Sequence, residues 1–283
     1  MATGKIRGIL KNRPVLSRFI CAGVSRGGSK GAGFVTVFSL KLAGAVLMTL
    51  DHIGLYFPAA PVWFRWLGRG AYPLFLFCMV QGYAHTRSRK CYLLRLYGMS
   101  LFMTALGLFL DARFPTEGGY GNHNIFLPLF LTGLLISAVE LYQRDRKRGG
   151  RLLGAAALVQ IVYWLLPALL PFTRNLSGDT LTGVVPNLAV NEFGFEFIAL
   201  GMALYFLRDR REALTAVYLI FCLYQFSAEA LYGGFPVQWM MALVLPLILR
   251  YNGERGRSWK WFFYAYYPAH TAFLFLLSNR LFG

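Results

Sequence analysis

Long apolar segments separated by short basic stretches run through most of the sequence. Nine segments have the composition of transmembrane helices, with approximate limits 34–56, 66–84, 92–110, 124–142, 152–172, 187–207, 213–228, 236–250 and 260–279. Runs of about 20 apolar residues match the thickness of the hydrocarbon core of a bilayer. The seventh and eighth are short, so we expect them to be tilted, broken or partly buried in protein. The pattern predicts an all-α, polytopic integral membrane protein with nine to eleven transmembrane helices.

The Lys and Arg residues between these segments are distributed unevenly. Alternate connections place 23 of them on the side that holds the N-terminus and 5 on the other, and Lys41 lies within the first span. Because cytoplasmic loops carry the excess of Lys and Arg, the N-terminus is predicted to be cytoplasmic. We expect the chain to lie among the lipids of a bacterial cytoplasmic membrane, and a homodimer is left open.

The first 33 residues differ from the rest, being rich in Arg, Lys, Gly and Ser. We interpret them as a basic, flexible cytoplasmic tail, in which an amphipathic surface helix and disorder both remain open. The first apolar run begins near Phe34 without a small-residue cleavage site, which favours an uncleaved signal anchor over a signal peptide. Residues 34–283 are predicted to form a single transmembrane domain.

The composition excludes several classes of protein. Hydrophobic residues make up 57% of the chain and charged residues only 14%, against about 25% charged in soluble domains. The net charge of +17 lies in short connections, not in a separate basic domain, so we predict no nucleic-acid partner. The four cysteines have no paired spacing, and no H-x-x-H or H-E-x-x-H motif occurs. We therefore expect neither a disulfide framework nor a metal site.

Asp51 and His52 are the most informative polar residues, because they fall inside the first apolar segment. Ionisable side chains within a membrane are costly and usually mark a working site. A carboxylate beside an imidazole is also a plausible acid/base unit. The alternative interpretation places both side chains at the interface, in contact with water.

Other polar residues separate into two layers according to the predicted topology. The outer layer holds the candidate substrate-binding residues His123, Asn124, Glu192, Glu196 and Tyr267, together with Arg69 and the candidate catalytic residue His270. Glu192 and Glu196 are spaced to share a helix face, whereas the stretch 122–124 could be only a helix cap. A structural, hydrogen-bonded role for His270 also remains open.

The inner layer contains Lys41, His85, Arg87 and Arg95. Cations beside a membrane span commonly set its orientation and contact anionic lipids. The same cations could bind a phosphorylated cytosolic ligand through charge-assisted hydrogen bonds. Composition alone favours the first interpretation.

Four motifs together resemble the TraX family, whose founding member acetylates the N-terminus of conjugative pilin. They are LMTLDHIG at 47–54, LGRGAYPLF at 67–75, GYAHTR with YLLRL at 82–96, and YNGERG with FYAYYPAH at 251–270. The similarity covers about residues 38–278 and is loosest between 105 and 240. The family resembles a broader superfamily of transmembrane acyltransferases that take acyl-CoA from the cytosol.

The resemblance implies an acetyltransferase that transfers acetyl from acetyl-CoA to an amine or hydroxyl of an unidentified acceptor. It implies that His52 is the catalytic base, that Asp51 orients it, and that Arg69 and His270 line the same cavity. His85, Arg87 and Arg95, with Lys41, would lie near the acetyl-CoA entrance. Two other classes remain open, a proton-coupled transporter or exporter using the same Asp, His and Glu residues and a non-catalytic scaffold. The absence of visible internal repeats in the sequence counts against the transporter.

Overall fold

The described part of the chain is helical. The computed structural model describes residues 34–116, 118–171, 173 and 178–282, so the predicted tail, residues 1–33, lies outside it. The helices are α1 Val37–Tyr56, α2 Trp63–Gly68, α3 Ala71–Ala84, α4 Arg89–Arg113, α5 Phe126–Arg144, α6 Arg146–Leu169, α7 Gly178–Val184, α8 Gly194–Phe206, α9 Arg211–Leu231, a 3₁₀ helix Gln238–Val244, α10 Leu245–Leu249 and α11 Lys260–Phe282. The predicted all-α class is confirmed.

Among the residues that the structure describes, five helices are long and apolar enough to cross a membrane, namely α1, α4, α5, α6 and α9. The expectation that the seventh segment is short was wrong, because α9 is a continuous helix of 21 residues. The eighth segment is broken, as expected, into the 3₁₀ helix and α10. The second segment, predicted as one span, is divided at Arg69 and Gly70 into α2 and α3. The protein is a multi-pass membrane protein.

Helix α3 is the centre of the bundle. It has no charged residue, and side chains on all of its faces are buried. A helix that is apolar all round is stable only when other elements surround it, and α3 contacts α1, α5, α8 and the 3₁₀ helix. Helix α6, in contrast, packs against α5 and exposes most of its apolar side chains, as a lipid-facing helix does.

The loop that precedes α11 forms backbone hydrogen bonds with the first turn of α1. Val37 and Phe38 donate their backbone N–H groups to the carbonyl oxygens of Glu254 and Arg255, at 3.0 and 3.1 Å. First-turn N–H groups have no partner within their own helix, so this loop satisfies them. Gly256 has φ +67°, and a Cβ there would clash with side chains at the start of α1. This glycine therefore allows the basic loop to lie directly against α1.

Candidate functional site

A cavity of about 670 Å³ lies between α1, α3, α4, α5 and α11. One end, which we call the basic mouth, is lined by cationic and histidine side chains: Lys41, His85, Arg87, Arg95, Arg255, Arg257 and Lys260. The walls are largely apolar. The other end, reached by following α1 away from its capped N-terminus, is lined by Met48, Tyr266 and Tyr267.

The structure brings together four of the five predicted cofactor-binding residues, and the basic mouth adds three more. Sequence reasoning missed Arg255, Arg257 and Lys260 as site residues, because they were treated only as topology determinants. The signal that could have found them was the YNGERG motif at 251–256. Its glycine at position 256 allows the close contact with α1 described above, which places these cations beside Lys41.

Arg95 is the mouth residue that has a buried donor without a hydrogen-bond partner in the described structure. Its guanidinium lies 5.7 Å from the ring centroid of Tyr92 and hydrogen-bonds Tyr264. Its Nε is buried without a hydrogen-bond partner in the described structure. Buried donors are normally satisfied, and a guanidinium suits phosphate oxygens. The donor set of the mouth therefore suits a ligand that carries phosphates, and Nε of Arg95 is left as a donor for one of them.

Three histidines meet next to the far end of the cavity, and we call them the histidine cluster: His52 of α1, His123 of the α4–α5 loop and His270 of α11. The ring centroid of His52 lies 5.0 Å from each of the other two, and all three side chains are buried. His52 follows Met48, and His270 follows Tyr266, by one helical turn. The cluster therefore begins where the lining of the cavity ends.

Tyrosines and a threonine surround the histidine cluster. Tyr56 Oη lies 2.6 Å from His123 Nε2, and Tyr120 Oη lies 2.5 Å from Thr271 Oγ1. Burial lowers the pKa of His123 to about 4, so at neutral pH this imidazole is uncharged, and its Nε2 shares a hydrogen bond with the hydroxyl of Tyr56. Within the described residues, no set of three potential ligands has the geometry to hold a metal ion.

Tyr267, predicted to bind substrate, lines the far end of the cavity. Its side chain is buried, and its Oη accepts a hydrogen bond from the backbone N–H of Ile125 at 3.4 Å. This contact joins α11 to the start of α5. The residue thus lies between the cavity and the histidine cluster, and its role in substrate binding stays a prediction.

Asp51 does not pair with His52, which corrects the predicted dyad. Successive residues on a helix point about 100° apart. The carboxylate of Asp51 instead forms ion pairs with Arg65, at 2.8 Å, and with Arg69. A Cβ at position 68 would lie 2.3 Å from this carboxylate, so Gly68 provides its space. Arg69, predicted to bind cofactor, is likewise absent from the cavity lining and serves this ion triad instead.

The predicted pair of Glu192 and Glu196 does not share a helix face, because α8 begins only at Gly194. Glu192 Oε2 accepts the backbone N–H of Asn124 at 2.7 Å, beside the histidine cluster. The carboxylate of Glu196 instead lies against Gly194. The helix-cap interpretation of 122–124 was also wrong, since Ile125 is the N-cap residue of α5 and no side chain caps that helix.

The side chain of Asn124, a predicted substrate-binding residue, is buried and attached to α4. Its Nδ2 donates to the carbonyl oxygen and to Oγ of Ser100, at 3.2 and 3.0 Å. Its Oδ1 is buried with no hydrogen-bond partner in the described structure. The amide therefore fixes the loop that carries His123 and retains one acceptor.

Comparison with known families agrees with the motifs. The model of the family described as TraX protein matches residues 38–177 and 180–278. The chain belongs to the TraX family. Among curated TraX-like relatives is a probable fimbrial assembly protein FimC, serogroup H1, from Dichelobacter nodosus, which is 26% identical over 258 residues. That alignment covers 84% of this chain and 94% of the relative. No solved structure matches the chain.

Proposed function

We propose that this TraX-family protein is an acetyltransferase of the bacterial cytoplasmic membrane that uses cytosolic acetyl-CoA as its donor. The observation that carries the proposal is the cavity that opens at the basic mouth and ends next to the histidine cluster, one helical turn from His52 and His270. Its cations suit the phosphates of the donor. Its largely apolar walls suit the neutral part of the donor, and its far end adjoins three buried imidazoles.

In the proposed reaction, an amine or hydroxyl of the acceptor attacks the carbonyl carbon of the acetyl thioester. His52 removes the proton from the attacking atom, the bond between carbon and sulfur breaks, and the proton passes to the sulfur of coenzyme A. General-base catalysis of this kind contributes about 10²–10⁴-fold to the rate. Holding the donor and acceptor together in a narrow cavity contributes through proximity.

The acceptor we favour is the N-terminal amine of a pilin-like subunit. Membership of the TraX family and the relative named for fimbrial assembly support this choice. An envelope sugar, a lipid headgroup and a small amine are the other acceptors to be screened. The predicted topology, with the basic mouth inside and the histidines towards the outside, suits an acceptor presented from the membrane or its outer face.

The test is release of free coenzyme A from acetyl-CoA by the purified protein in detergent, with and without candidate acceptors. We expect His52→Gln to lower kcat by about 10²–10⁴-fold while leaving the affinity for acetyl-CoA unchanged. Glu212→Gln, an exposed change on α9, is the matched control and should retain full activity.

Binding of coenzyme A, measured by thermal stabilisation of the folded protein, separates the enzyme from its rivals. Folded protein that neither binds nor turns over acetyl-CoA would overturn the proposal and favour the proton-coupled transporter. Binding with turnover that is unaffected by His52→Gln would preserve the enzyme class but remove His52 as its base.

A further inference from the structure

We propose that His270 is the positioning residue of the site and holds His52 in the tautomer that is protonated on Nδ1. The catalytic meaning of this assignment rests on the proposed function, in which His52 is the base. The hydrogen bonds that support the assignment involve α1 and α11 alone and do not depend on any bound ligand.

The first step is the protonation state of His270. Its Nδ1 lies 2.8 Å from the backbone carbonyl oxygen of Tyr266, one turn earlier in α11. A carbonyl oxygen only accepts hydrogen bonds, so this nitrogen carries a proton. In the neutral imidazole the other nitrogen, Nε2, then has a lone pair and accepts.

The second step is the hydrogen bond between His270 and His52, in which the role of one nitrogen fixes the role of the other. Nε2 of His270 lies 3.0 Å from Nδ1 of His52, and both rings are buried. Because Nε2 of His270 is the acceptor, Nδ1 of His52 is the donor. The remaining nitrogen of His52, its Nε2, is left with a free lone pair. The pairing, together with the hydrogen bond of His52 to the backbone of Met48, thus determines which nitrogen of His52 is basic.

The same geometry assigns different roles to the two histidines. Both nitrogens of His270 are engaged, one by a backbone carbonyl and one by His52, so His270 has no lone pair for the acceptor. His270 also occupies the orienting position that the sequence suggested for Asp51, whose carboxylate is bound by Arg65 and Arg69. A neutral orienting group suits this buried site, because a second buried charge would need its own partner.

The tautomer is measured directly by ¹⁵N NMR of the full-length protein labelled at its four histidines, with signals assigned from single His→Gln variants. We expect Nδ1 of His52 to be protonated and its Nε2 unprotonated in the wild type at neutral pH. Protonation of Nε2 instead would overturn the inference. This measurement needs no turnover, so it stands even if the proposed acetyltransferase activity is not found.

Two substitutions then test whether His270 is responsible. In His270→Gln the side-chain amide oxygen can replace Nε2 as the acceptor, whereas His270→Ala provides none. We expect kcat to fall about 10–100-fold in His270→Ala, the range known for groups that orient metal-bound imidazoles. His270→Gln should recover most of this loss, and KM for acetyl-CoA should be unchanged in both variants.

Three results would count against His270 as the positioning residue. They are wild-type kcat in His270→Ala, equal losses in the two variants when both are folded, and a His52 tautomer that persists in His270→Ala. Equal losses would indicate that the imidazole of His270 itself contacts the acceptor. If His270→Ala does not fold, the wild-type spectrum and His270→Gln still decide the question.

Discussion

The basic mouth and the histidine cluster are neighbouring regions of the candidate site whose charges are treated in opposite ways. Arg255 and Arg257 are exposed, and water screens their mutual repulsion. The three histidines are buried and contact one another or tyrosine, an arrangement that requires neutral, hydrogen-bonded rings. Exposed cations can therefore lie close together without ion-pair partners. Each buried imidazole, in contrast, needs a specific hydrogen-bond or ring contact.

The ion triad of Asp51, Arg65 and Arg69 is intermediate between the exposed mouth and the buried histidine cluster. Its charges are partly buried and neutralise one another. The side chain of Asp51 is 17% exposed, and those of Arg65 and Arg69 are 32% and 21% exposed. Such a cluster ties α1 to α2 but leaves no free carboxylate for catalysis. Substitutions in each region show whether the three regions are as separate as the geometry indicates.

Asp51→Asn should destabilise the protein without specifically affecting the chemical step. Two partly buried guanidinium groups would lose their counter-ion, and we expect a loss of about 2–3 kcal/mol, somewhat below that for a fully buried pair. Unfolding in detergent micelles measures this loss, and kcat is measured at a temperature where the variant is folded. A stable Asp51→Asn variant with a low kcat would restore Asp51 as the group that orients His52.

The stability of the protein should fall between pH 7 and pH 5 through His123. Its pKa is about 4 in the folded protein and about 6.5 in an unfolded chain. The unfolded chain therefore binds a proton in this window and the folded protein does not. The stabilisation is complete above pH 6.5, and about 2 kcal/mol of it is lost by pH 5.

The matched variant for this measurement is His123→Gln, which retains an acceptor for the hydroxyl of Tyr56 but does not titrate. Its unfolding free energy should vary less with pH over the same range than that of the wild type. Identical pH profiles would mean that His123 has the same pKa in the folded protein as in the unfolded chain, contrary to its burial beside Tyr56.

Arg95→Met and Arg257→Met compare a partly buried cation of the mouth with an exposed one. Arg95→Met should weaken binding of coenzyme A about tenfold, because a desolvated charged donor is lost. Arg257→Met should weaken it by less, about twofold, and the difference from wild type should disappear at high salt. Calorimetric titration with coenzyme A at two ionic strengths measures both effects.

Arg95→Met carries a further expectation for the protein without ligand. Since Nε of Arg95 is buried and unpartnered, removing it should not lower the unfolding temperature in the absence of coenzyme A. Weaker binding together with unchanged or higher stability would identify Arg95 as a residue held for its ligand. A large loss of stability would instead show that its contact with Tyr264 is structural.

The fold class was predictable because hydrophobic segments report directly on burial in a membrane. The positions of most helices followed from the same signal, but the division of residues 66–84 and the continuity of α9 did not. Hydropathy measures how apolar a segment is, whereas the break at Arg69 and Gly70 depends on the contact that Arg69 makes with Asp51. The length of α9 is set by its packing against the 3₁₀ helix and α8.

The sequence was enough to predict the class of protein, to identify the motifs of its family and to find four residues of the basic mouth. Local spacing indicates such features, because Lys41, His85, Arg87 and Arg95 lie within one region of the chain. The packing of the helices, in contrast, is what sets the ion pairs of Asp51, the separation of Glu192 from Glu196, and the contact of His52 with His270. That contact joins residues 218 positions apart. The side-chain directions of two packed helices fix it, and no local pattern in the sequence encodes them.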